Sequence, residues 1–259
     1  MATTTPADEL TAILLAADVS GALWEAVDSG RMAGLVPELL LLEMEQDPIH
    51  RHKDVLAHTI AVVAKTPADL LVRLGTLFHD IGKPDTRRID AREGVTFRHH
   101  ETVGARITKH RLAVLGYDEA TVDAVTDLVR LSGRFKGYAD GWSDSAVRRY
   151  ARDAGPLLGQ LNTLVRCDCT TRNDRKRLQL QEHVDHLEQR IAELAEADRR
   201  AAERPQMDGA AVMDHLGLQP GPDVGAALQF LLAVRRSEGD LDRQALQHRL
   251  DQWWAERQS

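Results

Sequence analysis

The chain has 259 residues, 43% hydrophobic and 28% charged, which is enough apolar material for one or two packed domains and excludes disorder as the main state. Its 33 Lys and Arg against 40 Asp and Glu leave a formal charge of -7, so no overall basic field exists to hold a nucleic-acid backbone, and any RNA contact must come from local patches. Cys167 and Cys169 stand too close for a disulfide framework or a four-thiolate zinc site, no apolar run reaches the roughly 18 residues of a membrane span, and Met1 to Glu9 lack a cationic, apolar leader. These features predict a cytoplasmic protein with no membrane partner.

Aromatic residues make up only 4%, and apolar residues recur every three to four positions, which predicts an all-α fold. Residues 1–47 offer short apolar segments around Leu14-Leu15, Leu23-Trp24 and Leu39–Leu42, broken at Ser29-Gly30 and Pro37, and read as a helical lead-in. Residues 48–172 form the predicted central domain. In its first helix, from about Lys53 to Ala64, Val55, His58 and Val62 share one face. The next, from Pro67, presents Leu70, Leu71, Leu74, Leu77 and Phe78, runs into His79-Asp80 and stops near Gly82 and Pro84. Between Arg87 and Arg98 the helical period fails, and Ile89, Val95 and Phe97 about Arg92-Glu93-Gly94 predict a short β-hairpin. A later helix from about Pro156 carries Leu157, Leu161, Leu164 and then Asp168 on one face. Residues 173–259 comprise a long exposed helix, Asn173 to about Arg204, and a helical tail punctuated by Pro205 and Pro220-Gly221-Pro222.

The informative feature is polar residues lying on apolar stripes. Two histidines and two carboxylates point inward, and a buried carboxylate without a partner costs several kcal/mol or loses its charge. One divalent ion ligated by His58, His79, Asp80 and Asp168 resolves this with one or two positions open. The mixed nitrogen and oxygen set favours Mn, Co, Ni, Fe or Zn over Mg.

The order His58, His79-Asp80, Asp168 resembles the H…HD…D ligand order of the HD superfamily of metal-dependent phosphohydrolases. Further wording is similar to the C-terminal part of bacterial CCA-adding tRNA nucleotidyltransferases that carry an HD domain. It comprises His52-Lys53-Asp54-Val55, His79-Asp80-Ile81-Gly82-Lys83-Pro84, Phe97-Arg98-His99-His100-Glu101 and Trp142-Ser143-Asp144-Ser145-Ala146-Val147-Arg148-Arg149. The resemblance implies an HD helical bundle with a hairpin insertion and a helical tail. Those enzymes begin with a nucleotidyltransferase head, whose Gly-Ser turn and Asp-x-Asp pair are not found here, so nucleotide addition is not expected of this chain. Ser132 stands where two-metal relatives place a histidine, which favours a single-metal site.

By the chemistry of such a site, an ion-bound water with its pKa lowered towards about 7 attacks phosphorus. Asp80 orients that water. Lys83 and His100 bind phosphate with Arg87 or Arg88, and His100 or His52 protonates the leaving group. Arg148 and Arg149 are further phosphate contacts, and His52 and Asp54 support the ligands from behind. The expected activity is hydrolysis of a small phosphorylated substrate, a nucleotide or relative bearing a monophosphate or 2′,3′-cyclic phosphodiester. The alternative is a non-catalytic tRNA-binding body. His50, His99 and His110 are expected on the surface, and Cys167 and Cys169 are expected to pack beside the site.

Overall fold

The computed structural model describes residues 4–44, 54–90, 94–169 and 173–258. The fold is all-α, with one two-stranded antiparallel hairpin among the described residues. Its helices begin where short polar side chains satisfy the free N–H groups of a first turn. Thr5 and Asp8 form a reciprocal capping box ahead of helix Pro6–Leu14. Asp54, Asp69 and Asp118 accept the N–H groups of Ala57, Val72 and Thr121 at 2.8, 3.0 and 2.9 Å. The capping by Asp69 explains why the helix starts at Leu70 and not at the predicted Pro67.

Residues 1–192 form one compact unit and residues 193–259 another, and helix Asp174–Ala202 carries residues of both. In the first unit the lead-in has no core of its own. Leu10, Leu14, Leu23, Met32 and Leu39 pack in the same cluster as Leu56, Ile60, Leu74, Leu77, Phe78 and Leu112. The sequence border near residue 47 therefore does not divide two cores. Arg73 ties the segments together: its buried guanidinium donates to the carbonyls of Leu14, Pro67 (3.0 Å), Thr66 (3.4 Å) and Ala16 (3.5 Å). A buried cation with this many carbonyl acceptors replaces its hydration without a carboxylate.

Strands Arg88–Asp90 and Gly94–Thr96 pair in the register Arg88 with Thr96, Ile89 with Val95 and Asp90 with Gly94. The pairing agrees with the predicted hairpin, and its turn at 91–93 lies outside the described residues. Ile89 is 74% exposed, so the hairpin has no buried face at that position.

Two features place the later helices. Gly82 lies so close to the start of helix His100–Leu115 that a Cβ there would stand 2.2 Å from the His100 carbonyl and 2.6 Å from the Gly104 nitrogen. That contact sets the segment after His79-Asp80 directly against His100. Helix Leu158–Cys167, which ends at Asp168, is held by Asn162, which accepts from Tyr150 (2.8 Å) and donates to Glu188 (3.0 Å). Arg166 adds ion pairs of 2.7 Å to Asp185 and Glu188. Helix Asp174–Ala202 buries Val184 and Leu187 of its stripe and leaves Leu178 exposed.

The second unit has its own core of Val212, Ala227, Leu231, Leu246 and Leu250. Phe230 stacks on Trp253 there at 5.2 Å between ring centroids. No helix among the described residues is long and apolar enough to cross a membrane.

Candidate metal centre

Three helix segments deliver the inward polar residues. His58 lies within helix Val55–Val63, His79 caps the C-terminus of helix Leu70–Phe78 with Asp80 following, and Asp168 caps the C-terminus of helix Leu158–Cys167.

The ligand-capable atoms of His58, His79 and Asp168 all lie within 4.8 Å of one another. His58 Nε2 is 3.1 Å from Asp168 Oδ1, and His79 Nε2 is 3.4 Å from the same oxygen. Asp80 Oδ2 stands 3.2 Å from His79 Nε2 and 3.8 Å from His58 Nε2. Ligands roughly 2.0–2.2 Å from an ion at tetrahedral angles stand about 3.4 Å apart, so these spacings suit a single ion.

The strongest indication is at His79. Its Nδ1 donates to the Thr76 carbonyl at 2.7 Å, which leaves Nε2 with the lone pair when the ring is neutral. Nε2 is buried and, although 3.2 Å from Asp80 Oδ2 and 3.4 Å from Asp168 Oδ1, makes no hydrogen bond among the described residues. A buried imidazole nitrogen left in this way among carboxylates is the arrangement that a divalent cation satisfies. The residues present therefore fit the implied ion: His58, His79 and Asp168 are grouped closely enough to hold it, and Asp80, which falls outside that grouping, stands beside them 3.2 Å from His79 Nε2.

Electrostatics point the same way. Burial disfavours a charged His79, yet Asp80 and Asp168 outweigh it and raise the pKa to about 10 when no ion is bound. Burial also opposes ionisation of Asp80, but His79 and Lys83 hold its pKa well below the usual carboxylate range. Asp168 is likewise lowered, with burial opposed by His79 and His58. The His79 contribution to metal-free stability is thus fully present below about pH 6.5 and lost as pH rises through 10, whereas the carboxylate contributions are present above about pH 3.8 and lost on acidification. The metal-free protein is expected to melt highest between these limits. An ion must displace the His79 proton, so binding near pH 7 is expected to release about one proton, read by calorimetry in buffers of different ionisation enthalpy. Binding with no proton release would contradict a charged metal-free His79.

The other expected site residues divide. His100 is buried beside the centre, with Nδ1 donating to the Phe97 carbonyl at 2.7 Å and Nε2 at 3.6 Å from Asp80 Oδ1. Burial lowers its pKa, so the ring is neutral at pH 7. Lys83 is buried and donates to Asp80 Oδ2 at 2.6 Å, with its ammonium 5.5 Å from the centroid of the Phe97 ring. Its charge is therefore committed to Asp80, which sequence spacing did not reveal.

An open cleft of about 350 Å³ adjoins, lined by Lys83, Lys136 and the run Phe97 to Glu101. Arg87, Arg88, Arg148 and Arg149 are not brought to its wall. Arg88 donates to the Arg87 carbonyl, the Arg87 Nε is buried without a partner among the described residues, and Arg148 and Arg149 are exposed on helix Asp144–Ala154. Asp54 is an N-cap, engaged with the Ala57 N–H. His52 and His50 lie outside the described residues, and His99 and His110 are exposed. Cys167 and Cys169 are half-buried beside Asp168. Ser132 donates to the Val129 carbonyl at 2.9 Å. Sequence reasoning missed Arg98, Glu101 and Lys136 as cleft residues. Arg98 and Glu101 flank His99-His100 and could have been found from that adjacency, whereas nothing local marks Lys136.

A family model of the HD domain matches residues 55–222, which include all four proposed ligands. The chain is 32% identical over 237 residues to a CC-adding tRNA nucleotidyltransferase of Thermus thermophilus, covering 88% of this chain and 51% of that protein. It is 31% identical over 256 residues to an A-adding tRNA nucleotidyltransferase of Deinococcus radiodurans, covering 96% of this chain and 58% of that one. The chain thus spans little more than half the length of these curated relatives. With the family match running over the helices that converge on His58, His79 and Asp168, the chain belongs to the HD-domain family.

Proposed function

We propose that the chain is a metal-dependent phosphohydrolase that cleaves a phosphate ester of a nucleotide or related small molecule. The observation that carries this reading is the buried, unpartnered Nε2 of His79 facing Asp80, Asp168 and His58. A divalent ion held by these residues supplies Lewis-acid polarisation and lowers the pKa of a bound water towards about 7. Asp80 positions an attacking water through Oδ1, the oxygen that faces His100, while Oδ2 is held by Lys83. Lys83 keeps Asp80 ionised and fixed in one rotamer. His100, neutral and with its Nδ1 tied to the Phe97 carbonyl, offers Nε2 to take or return a proton at the reacting oxygen.

The test is release of free phosphate from a panel of nucleoside mono-, di- and triphosphates and cyclic nucleotides, using protein reconstituted with Mn, Co, Ni or Mg. Turnover that disappears in Asp80→Ala supports the reading, since a copurifying phosphatase would be indifferent to that change. A second reading is favoured by the relatives, both named as tRNA nucleotidyltransferases and matched over most of this chain. On it, the chain is a tRNA-binding body whose metal centre is a structural clamp. No turnover with any metal, together with a tRNA gel shift at moderate salt, selects that reading.

A further inference from the structure

One wall of the cleft beside the metal centre is a turn that holds a histidine in a conformation suited to glycine. His99 has φ 63° and ψ 21°, in the left-handed region, and is the one non-glycine residue of positive φ among the described residues. Hydrogen bonds hold that conformation from both sides. The Phe97 carbonyl accepts the His100 backbone N–H at 3.2 Å and the His100 Nδ1–H at 2.7 Å, while the His99 carbonyl accepts the N–H groups of Thr102 and Val103 at 3.1 Å. Glycine makes such a turn without the crowding of Cβ against the backbone that a histidine must accept. His99 stands immediately before helix His100–Leu115, yet its side chain makes no capping hydrogen bond, the ordinary structural reason for a polar residue at that position. The side chain is instead exposed and lines the cleft.

We infer that His99 is a specificity-determining residue whose imidazole packs against the planar base of a nucleotide, with the Phe97 ring as the apolar part of the same wall. The assignment rests on the phosphohydrolase reading for the phosphate of the ligand, and it narrows the substrate class to esters that carry a heterocyclic base. Placement along the cleft supports it. Lys83 and His100 are buried beside Asp80, whereas His99 is exposed at the mouth. A phosphate at the metal centre therefore directs the rest of its molecule outwards past His99. Imidazole and phenyl rings stack on bases through their π-faces, which rewards a base and gives nothing to a bare sugar phosphate. A cleft of about 350 Å³ sits at the low end of small-molecule sites, which suits one base with its sugar and phosphate.

The competing explanation is that histidine, commoner than most residues in the left-handed region, is merely tolerated in this turn. The two accounts part at His99→Gly and His99→Asn, which both suit the turn and both remove the imidazole. Calorimetric titration of the full chain, free of divalent metal, is expected to show adenosine 5′-monophosphate binding about tenfold more tightly than ribose 5-phosphate. In either variant the nucleotide should fall to the affinity of ribose 5-phosphate, whose own binding should stay unchanged, and His99→Gly should melt no lower than the native chain. A short oligoadenylate that competes and responds to the same substitutions supports the contact and makes a strand end its source, whereas competition by the mononucleotide alone makes the source a free nucleotide. No binding of the nucleotide, equal binding of the two probes, or nucleotide binding indifferent to both substitutions overturns the contact. Equal weakening of both probes in the variants also overturns it, because that marks the turn and not the base. The expected binding pattern with no turnover under any metal defeats the hydrolase reading alone. Turnover of adenosine 5′-monophosphate and ribose 5-phosphate with the same KM defeats the base contact alone.

Discussion

His79→Ala is expected to lose metal and activity together, with metal content falling from about one ion per chain to background by elemental analysis and turnover dropping at least about 1,000-fold. The substitution removes the imidazole, whose Nδ1 donates to the Thr76 carbonyl and whose Nε2 faces two carboxylates. It also leaves Asp80 and Asp168 without the group that most strongly favours their ionised forms. Taking one partner from a buried charge cluster costs about 3–5 kcal/mol, so the variant's urea midpoint should fall even against metal-free wild type. Retention of stoichiometric metal by this variant would remove the basis for the proposed donor set.

Gly82→Ala is expected to act without touching any ligand. The added methyl would meet backbone atoms, the His100 carbonyl at 2.2 Å and the Gly104 nitrogen at 2.6 Å, and no rotamer change can relieve a clash with main chain. Either the segment after Asp80 or the start of helix His100–Leu115 must move, at a cost of about 1–3 kcal/mol or more. A shift of about 1 Å would carry His100 away from Asp80 Oδ1 and is expected to reduce turnover about 100-fold while leaving metal content near wild type. Unchanged turnover would show that the distance between His100 and Asp80 does not matter to the chemistry.

The same close approach separates what local sequence encodes from what it does not. Helical periodicity was enough to place His58 and Asp168 on inward faces, because the 3.6-residue repeat assigns every side chain a direction once the apolar stripe is known, but the stop predicted near Gly82 and Pro84 overran the helix, which ends at Phe78 with His79 as its cap. The hairpin was legible for the complementary reason: Ile89 and Val95 fall outside that repeat and pair directly. Helix starts were less legible, since Asp69 and Pro67 both signal an N-terminus and only the Asp69 contact with Val72 decides between them.

Residue types and spacing by themselves determined an all-α chain with two imidazoles and two carboxylates turned inward, and so the demand for a cation. Tertiary structure alone decided how that demand and the surrounding charges are distributed. It paired Lys83 with Asp80, left Arg148 and Arg149 on an exposed helix face, and brought Lys136 to Glu101 across 35 positions of sequence. The reason is physical: a helix repeat specifies direction about one axis, but which charges meet depends on the crossing of separate helices. Those crossings are set by close contacts such as Gly82 on His100 and by long-range anchors such as Arg73 on Leu14.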